Sequence, residues 1–85
     1  MKLDIPAYSH KEGLPVTWSP GFEISVGQSG SDILIKANKA GLISLAVQLL
    51  TLAQDDVAAG SHFHYDEHNC LEDGSKSLII EKHKL

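Results

Sequence analysis

The sequence predicts an α+β fold in the order β-β-α-β-β, with one mixed or antiparallel sheet and a single amphipathic helix packed on one face. Three observations predict it: a strictly alternating segment at residues 22–26, a segment of helical periodicity after Asn38, and two short strand-like segments nearer the end. We expect residues 1–85 to form one domain, with residues 1–20 as an N-terminal arm or edge strands and residues 21–83 as the core.

The N-terminal third is expected to contain an arm followed by a hairpin. All three prolines lie in residues 1–20, which disfavours a long helix there. Residues 22–26 alternate apolar and polar side chains, as in a half-buried strand. Residues 27–31 are typical of a turn and residues 32–37 of a second strand, so the two strands should form a hairpin.

A helix is predicted from residue 39 to about residue 54, with Asn38 as its N-cap. Its apolar face contains Leu42, Leu45, Ala46, Leu49 and Ala53, and is widened by Ile43, Val47 and Leu50. The remaining polar stripe is narrow: Ser44, Gln48, Thr51 and Asp55. This apolar arc is wider than packing against one sheet requires. We therefore expect the arm, or another subunit, to cover its second side.

The third strand is predicted at residues 61–66, and its alternation divides its side chains between two faces. Phe63 and Tyr65 should point into the core, while His62, His64 and Asp66 form a polar row on the other side. A turn-rich connection at residues 67–74 follows, with Leu71 expected in the core, and a fourth strand is predicted at residues 76–82.

The charge distribution argues for a protein partner and against nucleic acid. The net charge is −4, and the seven basic residues are all lysines. Residues 40–75 contain no lysine or arginine but hold three acidic pairs: Asp55 and Asp56, Asp66 and Glu67, and Glu72 and Asp73. These acids are either solvated turn residues or an acidic face that steers a basic partner.

The histidine row allows a metal site as an alternative interpretation. His62, His64, Asp66 and His68 carry zinc-type donors, but all come from one strand and its turn, whereas structural zinc motifs draw ligands from two places in the chain. We therefore favour histidines without a metal, and no cofactor, with zinc as the alternative. Cys70 near His68 lacks any oxyanion loop, so we expect no catalytic residues and a non-enzymatic protein.

The chain is expected to be cytoplasmic. A single cysteine allows no internal disulfide, which fits a reducing compartment. The N-terminus has no long apolar segment of the kind found in signal peptides. The longest apolar segment, residues 41–53, is too short to span a membrane.

Several motifs together resemble a family of small bacterial immunity proteins, immunity protein family 32. They are Ala40-Gly41-Leu42 with the leucines that follow, the G-x-H-x-H-x-D segment from Gly60 to Asp66, the L-E-x-G-S turn from Leu71 to Ser75, and residues 78–81. The likeness covers about residues 32–82.

That resemblance implies a cytoplasmic, non-enzymatic inhibitor that binds a cognate toxin. A basic toxin domain would suit the acidic chain. The expected partner-binding residues are His62, His64, Asp66, Glu67, Glu72 and Asp73, with Tyr65 or Trp18 as a possible anchor. The alternatives are a small metal-binding protein and a self-associating module, the latter a homodimer formed through the helix.

Overall fold

The structure is a computed structural model that describes residues 1–84, and its elements follow the predicted order. They are β1 (Ile24–Ser29), β2 (Asp32–Ala37), α1 (Lys39–Leu52), β3 (His62–Tyr65) and β4 (Leu78–Glu81). The α+β class and the β-β-α-β-β order are confirmed. The strands form two antiparallel pairs, β1–β2 and β3–β4, where a single sheet was expected. Leu85, the last residue of the expected domain, lies outside the described residues.

The first hairpin turns on two residues, Gly30 and Ser31. Gly30 has a φ of +63°, and a glycine with positive φ at the first central position is typical of a type II′ turn. Such a turn fixes the register, so that Ser29 lies opposite Asp32 and Ile24 opposite Ala37. Consequently β1 continues through residues 27–29, which were expected to belong to the turn.

The other edge of β1 is occupied by the connection between β3 and β4. Glu72 N donates to Ile24 O at 2.9 Å, and Lys76 N donates to Val26 O at 2.8 Å. Val26 N in turn donates to the Ser75 hydroxyl at 3.1 Å. Because these loop residues use the β1 backbone groups that face away from β2, the two hairpins cannot join there as one continuous sheet.

Asn38 begins the helix, as predicted, and also fixes it to the segment before β1. Its Oδ1 accepts from Gly41 N at 2.8 Å and from Glu23 N at 3.0 Å, while its Nδ2 donates to Gly21 O at 2.9 Å. The approach is so close that a Cβ on Gly41 would lie 2.6 Å from Glu23 O. Only glycine therefore fits at this position of the first helical turn.

The helix buries three of the four residues of its predicted polar stripe and exposes much of its apolar face, which is largely the reverse of the expected orientation. Asp55 lies beyond the helix and is exposed, and Val47 of the apolar face is buried. Ser44, Gln48 and Thr51 are 1%, 0% and 1% exposed. Leu42 and Leu50, by contrast, are 58% and 50% exposed. The arm therefore does not cover these leucines, and their cover by another subunit stays a prediction.

Each buried polar side chain of the helix has a hydrogen-bond partner, which explains the reversed orientation. The hydroxyls of Ser44 and Thr51 donate to carbonyls four residues earlier, at 2.8 Å and 2.7 Å. The Ser44 hydroxyl also accepts from Ser19 N, and Gln48 Nε2 donates to Thr17 O at 2.9 Å. The arm thus lies along the polar stripe, because that stripe supplies partners for its irregular backbone.

The core lies between the helix and the two hairpins, and it contains the predicted strand residues. Phe63 and Tyr65 point inward, and Leu71 is buried, as predicted. The buried cluster is completed by four aliphatic side chains, Ile24, Val26, Leu52 and Val57. Within residues 1–84 no helix has both the length and the apolar character needed to cross a bilayer.

Candidate functional site

His62 and His64 lie on the outward face of the β3–β4 hairpin. Both side chains are exposed, as the alternation of β3 predicts. Across the hairpin, His62 lies opposite Glu81 and His64 opposite Ile79, which is 59% exposed. His62 Nδ1 lies 3.1 Å from Gly60 O, a contact in which Nδ1 donates. This face is therefore an exposed surface of mixed character.

Asp66 follows the end of β3 and organises the turn after it. Its carbonyl accepts from the backbone N–H groups of Asn69, Cys70 and Leu71. Its carboxylate accepts from His68 N at 2.9 Å, and its own N–H donates to Asn69 Oδ1 at 3.1 Å. This side chain is half-buried, so its carboxylate mainly stabilises the loop.

Glu67 closes the same loop from its other end. Its Oε2 accepts from Gly74 N at 2.7 Å, which joins the beginning of the connection to its tight turn. Its Oε1 lies 3.9 Å from His68 Nε2 in a surface pair. Because such exposed pairs contribute little, the bond to Gly74 is the structural role of Glu67.

Glu72 and Asp73 are exposed and free to meet a partner. Within residues 1–84, neither carboxylate has a hydrogen bond or a salt bridge. They lie beside β1 on the side away from β2, and each lines a shallow hollow that also contains Lys36. Of the six predicted partner-binding residues, His62, His64, Glu72 and Asp73 are thus available at the surface, while Asp66 and Glu67 are engaged in the loop.

The donors of the alternative zinc site do not converge. In the described part of the chain, no three His, Cys, Asp or Glu side chains are grouped so that they could hold a metal ion. The physical reason is that β3 ends at Tyr65, so Asp66 and His68 no longer follow its alternation. His68 is 87% exposed at its side chain, and Asp66 binds the turn backbone.

Cys70 and Tyr65 are both placed where their neutral forms are favoured. Burial raises the pKa of the Cys70 thiol; a backbone hydrogen bond at Asp66 lowers it, and the Asp66 charge raises it further. A thiol with a raised pKa is a poor nucleophile at neutral pH. The pKa of Tyr65 is raised to about 12, mainly by burial and to a smaller extent by the proximity of Cys70.

Neither expected aromatic anchor is freely exposed. Tyr65 is 2% exposed, so the expectation that it could anchor a partner is wrong. Trp18 is half-buried and stacks on Phe22, with ring centroids 4.3 Å apart. The exposed edge of β2, at Ile33, Leu34 and Ile35, was not predicted from the sequence. The signal was present as three consecutive large aliphatic residues that do not alternate with polar ones.

The fold and the surface define a small, acidic α+β domain whose available side chains lie on open faces. The chain belongs to the family described as Immunity protein 32 (Imm32), whose sequence model matches residues 32–83. The resemblance expected from the helix, G-x-H-x-H-x-D and L-E-x-G-S motifs is thereby confirmed. No curated protein and no solved structure gives a significant match to the chain.

Proposed function

We propose that this protein is a cytoplasmic, non-enzymatic immunity protein that neutralises a cognate bacterial toxin by binding it directly. The observation that carries the proposal is membership of the Imm32 family over residues 32–83. That match extends from β2 to the end of β4 and includes the whole acidic connection. The raised pKa of Cys70 argues only against this thiol as a nucleophile.

The toxin is proposed to dock on the exposed acids of the connection, together with His62 and His64. The carboxylates of Glu72 and Asp73 have no partner within residues 1–84, so a cationic surface can pair with them without breaking a bond inside the domain. The chain carries a net charge of −4, which favours encounter with a basic toxin domain. Complementary charge of this kind raises the association rate and fixes orientation.

Asp66 and Glu67 are proposed to act at this surface mainly by holding the loop. Their carboxylates accept from His68 N and Gly74 N at 2.9 Å and 2.7 Å. Replacing either side chain would therefore disturb the loop as well as the charge. Glu72 and Asp73 are the informative pair, because their replacement removes charge without removing a hydrogen bond of the domain.

The test is the affinity of the purified chain for the toxin domain encoded beside its gene, measured by calorimetry at low and high salt. We compare Glu72→Gln/Asp73→Asn with the matched control Asp55→Asn/Asp56→Asn, which also removes two exposed acids. The first variant should bind about tenfold more weakly at low salt, equivalent to about 1.4 kcal/mol, with a smaller dependence on salt. The control should stay within about twofold of the original chain.

Two results would count against the proposal in different ways. If both double variants keep the affinity and salt dependence of the original chain, the toxin docks elsewhere. If the original chain neither binds the toxin domain nor protects cells that express it, neutralisation by direct binding is wrong.

A further inference from the structure

β2 presents a free edge along its whole length. Within the described residues, β1 is the only strand that pairs with it. Asn38 N donates to Glu23 O, so these two opposed residues form a hydrogen-bonded pair. In an antiparallel pair, hydrogen-bonded positions alternate with non-bonded positions, whose backbone groups point away from the partner strand. Ile33 and Ile35 occupy non-bonded positions. The backbone groups of Ile33 and Ile35 therefore point away from β1. The same alternation explains why Ile24 and Val26 bond to the connection on the far side of β1.

The centre of this edge lacks the features that usually prevent strands from associating. Exposed edges are commonly protected by proline, by a bulge or by charges within the strand. β2 has no proline, and its six residues pair one-to-one with β1 without a bulge. Its centre is Ile33, Leu34 and Ile35, which are 74%, 39% and 43% exposed. Only the flanking positions, Asp32 and Lys36, are charged.

The sequence of this edge is complementary to itself. When a second β2 is placed antiparallel with Leu34 opposite Leu34, Asp32 of each copy lies opposite Lys36 of the other, and Ile33 lies opposite Ile35. The outward backbone groups then meet as bonded pairs, as the alternation requires. A register shifted by two residues places Asp32 opposite Leu34 or Asn38, so only the centred register pairs both charges.

We propose that two copies of this protein associate through β2, antiparallel and centred on Leu34, to give a four-stranded sheet in the order β1-β2-β2-β1. Cross-strand neighbours share a face, so the isoleucines of both copies adjoin on one face and the two Leu34 side chains meet on the other. Opposite charges at directly opposed positions stabilise such a pair, and like charges destabilise it. The association does not depend on the toxin.

The test is sedimentation velocity of the free chain over a concentration series, because a small interface should exchange with monomers. The original chain should show a concentration-dependent dimer. In a symmetric dimer, Asp32→Lys or Lys36→Asp places like charges opposite each other at two positions. Each variant alone should therefore be monomeric over the same concentration range. Both positions are exposed, and circular dichroism is the check that each variant still folds.

Two rescue experiments identify the register. A mixture of Asp32→Lys with Lys36→Asp should form a heterodimer, because every opposed pair then has opposite charges. The double variant Asp32→Lys/Lys36→Asp should again form a homodimer. A chain that remains monomeric at all concentrations would overturn the proposal. If β2 variants of such a monomer also bound the toxin more weakly, the edge of β2 would be a toxin-binding surface instead. A dimer unaffected by the single charge reversals would also overturn it.

Discussion

The hydroxyl of Tyr65 donates a 2.7 Å hydrogen bond to Oε1 of Gln48, and both side chains are fully buried. The other end of the same amide, Nε2, donates to Thr17 O at 2.9 Å. One glutamine side chain therefore connects β3, the helix and the N-terminal arm. A buried hydroxyl without such an acceptor would cost about 1–3 kcal/mol, so the position of Gln48 also determines which face of the helix is buried.

Tyr65 should make stability fall at high pH. Burial, followed by the proximity of Cys70, raises its pKa from the ordinary 10.0 to about 12, so the fold favours the neutral phenol. Its contribution is fully present below about pH 10 and is lost as the pH rises through about 12. A change in the pKa of Tyr65 from 10.0 to about 12 corresponds to about 3 kcal/mol of unfolding free energy.

The measurement for this prediction is urea unfolding from about pH 8 to about pH 12, with Tyr65→Phe as the comparison. The original chain should be the more stable at the lower pH, because the variant leaves Gln48 Oε1 without its donor. That advantage should shrink as the pH approaches 12. A difference that stays constant over the whole range would show that Tyr65 ionises as easily in the folded chain as in the unfolded one.

Gly41→Ala should destabilise the protein although alanine is the better helix former. The new Cβ would lie 2.6 Å from Glu23 O and 2.9 Å from the Ile24 side chain. The resulting displacement should cost about 1–3 kcal/mol, which exceeds the gain of up to about 1 kcal/mol in helix propensity. Gly27→Ala is the matched control, since a Cβ there meets nothing within 4 Å. Thermal unfolding in which both variants are equally stable would contradict the close approach of helix and hairpin.

Lys82→Met should loosen the junction between β4 and the end of the helix. The Lys82 ammonium donates to Gln54 O at 2.6 Å and to Val57 O at 2.8 Å, two carbonyls that follow the helix. Methionine keeps an apolar stem but has no donor, so the loss should be about 1.5–3 kcal/mol. Lys84→Met removes an exposed ammonium and should change stability by less than about 0.5 kcal/mol. Denaturant midpoints that fall equally in the two variants would exclude this role for Lys82.

Local patterns predicted the elements well because each pattern reports a local physical requirement. Asn38 marked the helix start, and its Oδ1 does accept from Gly41 N. The period of two in residues 62–65 placed Phe63 and Tyr65 in the core and the two histidines outside. The same period failed at Asp66 and His68, because the strand ends at Tyr65 and no local signal marked that end.

The orientation of the helix could not be predicted from its periodicity. A hydrophobic pattern treats Ser44 and Thr51 as polar, yet their hydroxyls bond to carbonyls of their own helix and are satisfied when buried. It also cannot show that the arm requires backbone partners, which Ser44 and Gln48 supply. The split into two hairpins depended in the same way on a distant contact, the connection bonded to β1 at Ile24 and Val26.

The buried polar stripe is the central claim, since the position of the arm, the environment of Tyr65 and the exposed leucines all depend on it. Its most direct test compares the unfolding free energies of Gln48→Leu and Leu50→Gln at low protein concentration. We expect Gln48→Leu to lose about 1–3 kcal/mol, because it leaves the Tyr65 hydroxyl without an acceptor. Leu50 is 50% exposed, so Leu50→Gln should lose less than about 1 kcal/mol. The opposite order, with Gln48→Leu tolerated and Leu50→Gln destabilising, would show that the helix buries its leucines instead.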